Sequence, residues 1–151
     1  MWRPARADED DAIVDMCVQL YREDPGPVPV THEQARRTLA VLRGEPSRGR
    51  VVVLDLADHI AGYAILIAFW SNELGGEVCT VDELFVTRAL RGRGHGRSLF
   101  PAITSGALWP SPIVAIALGV TPDNVRARRL YEELGFDAVG VSLVLRVPPR
   151  P

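Results

Sequence analysis

The sequence contains no lysine: all seventeen of its basic residues are arginine. That absence closes two routes. A phosphate-binding P-loop needs a lysine ammonium at the β and γ phosphates, and Schiff-base chemistry, including anchoring of pyridoxal phosphate, needs a lysine amine. Abundant alanine, arginine, glycine, proline and valine trace the bias to GC-rich codons, so it carries no functional meaning of its own. Cysteine is also scarce. Cys17 and Cys79 stand far apart, which fits neither a disulfide framework nor paired zinc ligands and points to a reducing compartment. His32, His59 and His95 lack the i, i+4 spacing that sets two imidazoles on one metal, so no metal site is expected. Long apolar runs are missing too. Residues 64–70 form the longest stretch, far short of the ~18 that cross a bilayer, and the charged start MWRPARADEDD has no apolar core. The expectation is a cytoplasmic protein with no membrane association.

What is present suits one globular domain. With 151 residues, 47% of them hydrophobic and 24% charged, the chain is long enough to bury a core without disulfides or metals. The reading is a single domain over residues 1–147 followed by a proline-rich tail at 148–151. A formal charge of -2 gives no global field toward nucleic acid or an anionic membrane, so any anion site must be local.

Periodicity orders the elements. Residues 2–5 read as a short strand, and Ile13, Met16, Cys17 and Leu20 form a helical stripe within residues 8–23. The DPGPVP segment breaks that helix, Thr31 caps a second one, and Gly44 with Pro46 stops it. Residues 51–57 and 60–70 read as a β-hairpin turning at Asp58 and His59, and residues 78–87 as another strand. The glycine-rich stretch 91–96 then leads into an apolar helix with Leu99, Ile103 and Leu108. Residues 113–120, unbroken and apolar, suit a strand buried on both faces. Pro122 and Asp123 open a last helix ending at Gly135, and residues 136–147 close the chain as β-structure. This order gives a mixed α/β fold with helices on both faces of a central sheet.

Two segments carry chemistry. In RGRGHGR, Gly92, Gly94 and Gly96 let the main chain approach a ligand, where a strand gives way to a helix start. Arg91, Arg93 and Arg97 add guanidinium donors suited to a diphosphate. The dinucleotide fingerprint fails here, because Arg97 stands where the third glycine belongs and no acidic residue follows about 20 positions on. No G-x-S-x-G occurs, which removes a serine hydrolase of that type. Alone, the loop is equally compatible with a glycine turn decorated by surface arginines. In the last helix, Ala127, Leu130, Tyr131 and Leu134 form the inward stripe, and Asn124 lies two turns before Tyr131 on the same side. Core packing for Tyr131 and helix capping for Asn124 are the plain structural readings of that face.

Together the segments resemble the GNAT superfamily of acyl-CoA-dependent N-acetyltransferases. Its R/Q-x-x-G-x-G/A loop is matched by Arg91, Gly94 and Gly96. Its N-x-x-A-x-x-L-Y-x-x-x-G-F helix is matched by Asn124, Ala127, Leu130, Tyr131, Gly135 and Phe136. The element order fits from Trp2 to Val147. FWSNELGG followed by VDELFV also looks like a group of small bacterial members.

The resemblance implies a mostly antiparallel sheet with a splayed central strand pair, into which the pantetheine of acetyl-CoA inserts. Main-chain groups of Leu84, Phe85 and Val86 would meet the pantetheine amides. Gly92, Arg93, Gly94, His95, Gly96 and Arg97 would hold the diphosphate, behind Arg91. Asn124, with Ala127 one turn on, would contact the pantetheine arm. The implied reaction is direct attack of an amine on the thioester, with Tyr131 protonating the departing thiolate. One common pattern places a glutamate five positions before the helix asparagine. Here that position is Gly119. The substitutes are Asp82 and Glu83, of which strand alternation would turn one toward the opening and one away.

The implied partners are acetyl-CoA and an amine acceptor, a small cationic amine or amino sugar, or else a protein N-terminus. A non-catalytic CoA-binding module is the rival reading. Nucleic-acid binding through RGRGHGR is opposed by the acidic balance and the lack of interleaved aromatics. The short stretch after Phe136 points to an open acceptor pocket or to one completed by a second copy, in a homodimer.

Overall fold

A computed structural model describes residues 1–57, 59–140 and 142–147. Asp58 of the expected hairpin turn, Val141 and the tail at 148–151 lie outside the described residues. Strand β1 (Trp2–Pro4) and a 3-10 turn (Ala7–Glu9) lead into α1 (Asp10–Glu23) and α2 (His32–Gly44). Then follow β2 (Gly49–Leu56), β3 (His59–Ser71), β4 (Gly76–Val86), a 3-10 turn (Arg88–Leu90), α3 (Leu99–Thr104), β5 (Ala115–Leu118) and α4 (Val125–Glu133). The five strands lie in sequence order, antiparallel except for the parallel pair β4–β5.

Local chemistry explains the helix ends. Thr31 accepts from the Gln34 N–H while the Gln34 side chain accepts from the Thr31 N–H, a capping box that starts α2 where its sequence signal stands. Acidic Asp10 and Asp11 begin α1, where negative charge is favoured, and also reach across to Arg43 and Arg36 of α2.

The sheet buries both faces. Ile13, Val14, Met16 and Cys17 of α1 and Leu39 and Leu42 of α2 pack on Val53, Tyr63 and Phe85. On the other side, Leu99, Phe100 and Ile103 of α3 join Leu54, Leu66 and Val81, with Tyr131 of α4 and Leu134 just past its end against them. Each fully buried aliphatic side chain contributes about 1.5–3 kcal/mol. At the start of the chain, Glu9 is buried and receives Arg3 at 2.6 and 3.0 Å and the Arg6 N–H at 2.8 Å.

Three expectations are corrected. The apolar run at 113–120 yields only the four-residue β5, half-buried rather than enclosed, because it stands at the edge of the described sheet. Residues 136–140 and 142–147 form no strand; Val139, Leu143, Leu145 and Val147 are all at least 80% exposed. Their β-branched character finds no ladder to join, and such residues favour strands only where neighbours pack on them. Finally, α3 spans only Leu99–Thr104, so Leu108 of the expected helix lies beyond its end, while residues 91–98 run as successive turns and bends.

Candidate active site

The parallel ladder between β4 and β5 runs only from Val78↔Ala115 to Val81↔Leu118. Past that point the strands part, and a cleft of about 1040 Å³ opens between the end of β4, the glycine loop, α4 and the last turn of α1. Leu84, Phe85 and Val86 line it. Their main-chain groups do not all face it. The Thr87 N–H donates to the Ala61 carbonyl of the β3 side at 2.9 Å, so by alternation Phe85 also bonds toward β3, while Leu84 and Val86 present theirs to the cleft.

The glycine loop forms the head of the cleft. Gly92 and Gly94 have φ of +78° and +83°, the left-handed region that glycine enters without strain. Gly96 does not, and a methyl group there would meet Leu130 and Leu84 at 3.8 and 4.0 Å, ordinary contact distances. The Trp2 indole N–H braces the loop by donating to the His95 carbonyl at 2.9 Å. Among the described residues, no protein group accepts from the main-chain N–H groups of residues 92–97. Half a dozen adjacent donors left free at a turn make a nest for an anion.

The arginines divide differently from the sequence reading. Arg91 is a brace: its Nε donates to the Val86 carbonyl at 2.6 Å, its guanidinium pairs with Glu23 at 2.6 Å, and it stacks over Phe85 at 5.1 Å. Arg97 lines the cleft but pairs with Glu133 at 2.5 Å. Arg93 lies outside the cleft lining, whereas Arg126 lies in it with no ion pair among the described residues.

On α4 the Asn124 side chain caps the helix by accepting from the Ala127 N–H at 3.1 Å, and its amide donates to Asp24 at 2.9 Å. Asn124 is thus the helix cap. Tyr131 is held edge-on by Phe100 and Phe136, with centroids 6.1 and 5.7 Å away. Its hydroxyl has no hydrogen-bond partner among the described residues and belongs to the cleft lining. Burial, and then the charge of Asp24, raise its pKa above the ordinary phenol value.

Asp82 and Glu83 line a second cavity, of about 200 Å³, between α1, α2 and the sheet. The expected alternation fails at this point. Register shifts between Ile65↔Glu83 and Leu66↔Val81, leaving Asp82 as the extra residue of a β-bulge. Before it, Cys79 and Val81 enter the α3–α4 core; after it, Leu84 and Val86 do, so parity switches and both carboxylates stay on the α1–α2 side. Glu83 is pinned by the hydroxyls of Tyr21 at 2.8 Å and Tyr63 at 2.6 Å, with the Cys17 thiol at 3.7 Å. Burial and then the Glu83 charge push the Cys17 thiol up to about 11 and raise both phenols. Asp82 has no such partners. It is accessible at the cavity, and the surrounding protein mass raises its carboxyl above the usual range.

Chain neighbours line the small cavity and the cleft: Leu20 lines the cleft and Tyr21 the cavity, and likewise Leu84 the cleft and Glu83 the cavity. Gly119, in place of the glutamate of the common pattern, lines neither. Sequence reasoning missed Tyr21, Tyr63, Asp24 and Arg126. The first two have a phenol on an apolar stripe as their only signal, and Asp24 reads as part of a helix stop. Among the described residues no three histidine, cysteine, aspartate or glutamate side chains are grouped to hold a metal, and no helix is long and apolar enough to cross a membrane.

Comparison with known proteins gives acetyltransferases among the curated relatives. Aminoglycoside N(6')-acetyltransferase type 1 of Klebsiella pneumoniae is 25% identical over 114 residues, covering 76% of this chain and 53% of that protein. N-alpha-acetyltransferase 40 of Saccharomyces cerevisiae is 28% identical, covering 83% of this chain and 52% of that protein. The chain therefore spans about half the length of the curated relatives it matches. Among solved structures, one described as a possible acetyltransferase from Clostridium difficile 630 superposes with a TM-score of 0.82 at 21% identity, over 99% of this chain and 98% of that one. At that identity the likeness is one of fold: helices on both faces of a mostly antiparallel sheet with a splayed strand pair. The sequence profile of the Acetyltransferase (GNAT) family matches residues 14–136, and on that match the chain belongs to the GNAT family.

Proposed function

We propose that the protein is an N-acetyltransferase that moves the acetyl group of acetyl-CoA directly to a primary amine, with a small cationic amine or amino sugar as acceptor. The observation that carries this reading is the run of partner-free N–H groups at residues 92–97 in a cleft that Tyr131 also lines. The residues fit the coenzyme. The diphosphate meets the N–H nest with Arg126 beside it, and the ladder positions at Leu84 and the Val86 N–H are templates for pantetheine amides, the Val86 carbonyl already accepting from Arg91. Asn124 keeps one amide hydrogen for the pantetheine arm.

The acceptor amine attacks the thioester carbon as the carbon–sulfur bond breaks. Tyr131 gives its proton to the departing sulfur, a modest demand for a thiol of pKa ~8.5. The amine's surplus proton passes to Asp82, through water, because Asp82 is the carboxylate with no protein partner and a raised pKa. Glu83, held by two tyrosines, supplies a fixed negative charge that favours a cationic acceptor. The acceptors named for the two relatives, an aminoglycoside and a protein α-amine, are both primary amines.

The test is release of free thiol from acetyl-CoA over a panel of amines, beside calorimetry with coenzyme A. Transfer to cationic amines is expected; no release above hydrolysis from any of them overturns the reading. Coenzyme binding without transfer would favour the non-catalytic module that Gly119 suggests. A cytoplasmic homodimer, with a second copy over the exposed apolar residues near the C-terminus, completes the proposal, and light scattering in solution checks the dimer.

A further inference from the structure

We infer that Asp24 is a positioning residue of the acyl-transfer site, clamping α4 to the end of α1 and controlling the Tyr131 hydroxyl; this rests on the acetyltransferase reading. Asp24 ends α1, fixed there by its N–H bond to the Leu20 carbonyl at 2.8 Å. From that post its half-buried carboxylate accepts from the Thr121 hydroxyl and the Asn124 amide, both at 2.9 Å and about a hundred residues away in the chain. Asn124 in turn caps α4. One carboxylate therefore sets the N-terminal end of the helix that carries Tyr131, and it stands where the helix dipole favours negative charge.

The neighbouring acid behaves differently. Glu23 is neutralised by Arg91, which also holds the end of β4, so the last two residues near the α1 terminus grip both banks of the cleft. Asp24 has only neutral donors. Its charge is left uncompensated in a cleft that must accept an anionic coenzyme, a cost that a purely structural clamp built from an amide would avoid. The other charged and titratable groups sharing that cleft are the Glu23–Arg91 pair, Arg97 and Arg129 with their common partner Glu133, His95, Asp123, Arg126 and Tyr131. Burial comes first in raising the Tyr131 pKa, and the negative charge of Asp24 adds to it, which keeps the phenol protonated and ready to donate.

Asp24→Asn separates charge from clamp. Its amide oxygen can accept from Asn124 and its amide nitrogen can donate to the Thr121 hydroxyl, so both bonds survive while the charge goes. Asp24→Ala removes both. Tyrosine labelled with 13C at Cζ reports the Tyr131 titration without requiring activity, its resonance identified by its loss in Tyr131→Phe. Expected are a Tyr131 titration moved to lower pH in Asp24→Asn, an alkaline limb of kcat moved the same way, and a KM for acetyl-CoA no higher than that of the parent. In Asp24→Ala, coenzyme affinity by calorimetry falls about tenfold, and Asp24→Asn restores it. A Tyr131 titration unmoved in Asp24→Asn, or coenzyme affinity unchanged in Asp24→Ala, overturns the inference. An unaltered protein that acetylates no amine counts instead against the acetyltransferase reading.

Discussion

Asp82 and Glu83, adjacent on β4, point their side chains to the same face of the sheet, because Asp82 is the extra residue of a bulge opposite Ile65 and Leu66. The bulge turns two consecutive residues into a paired acidic site, which a regular strand would have divided between two layers.

Their environments predict different phenotypes. Asp82→Asn is expected to lower kcat by about 10²–10⁴-fold, the usual range for a proton acceptor, with little change in coenzyme affinity. Glu83→Gln is expected to raise KM for cationic amines more than it lowers kcat. Steady-state kinetics on both variants decides between the two carboxylates; a larger kcat loss for Glu83→Gln would exchange their roles.

Tyr131→Phe is expected to reduce kcat by about ten- to a thousand-fold while coenzyme affinity changes little. Because burial and Asp24 raise its pKa, Tyr131 stays protonated through neutral pH. The rate then falls only as pH rises through that elevated value. A pH profile of Tyr131→Phe that keeps the same alkaline limb would remove Tyr131 from the proton path.

The glycine loop separates required from permissive positions. Gly92→Ala and Gly94→Ala place a Cβ at positive φ, at a cost of about 1–2 kcal/mol each, and coenzyme affinity is expected to fall about tenfold. Gly96→Ala, with ordinary φ and space for a methyl group, is expected to bind within about threefold of the parent, a difference under 1 kcal/mol. Calorimetry on the three variants ranks them.

Acid stability depends on Glu9. Hydrogen bonds from Arg3, then from the Arg6 main chain, lower its pKa below the ordinary carboxylate value despite burial. Its contribution is therefore present above the unfolded value of ~4.3 and is lost as pH falls through the lower folded value. Glu9→Gln is expected to cost about 1.5–3 kcal/mol at neutral pH and to flatten the loss of stability toward acid, as urea titrations between pH 3 and pH 7, about the range that matters here, would show.

The sequence by itself determined the element order as far as the last helix, the cap at Thr31, the glycine turn and the Asn124 to Phe136 helix pattern, because these rest on local conformational preference and on 3.6-residue and two-residue periodicity. Only the tertiary structure decided which groups act together. Arg91 is paired with Glu23 and donates to Val86, while Arg126 lines the same cleft with no ion pair among the described residues. The β4 bulge reverses side-chain parity, which no count along a strand reveals, and brings Asp82 and Glu83 beside Tyr21 and Tyr63. Asp24 and Asn124 meet across a hundred residues of chain. Periodicity reports which face a residue takes within its own element; partners between elements depend on long-range register and packing, and those exist only once the chain has folded.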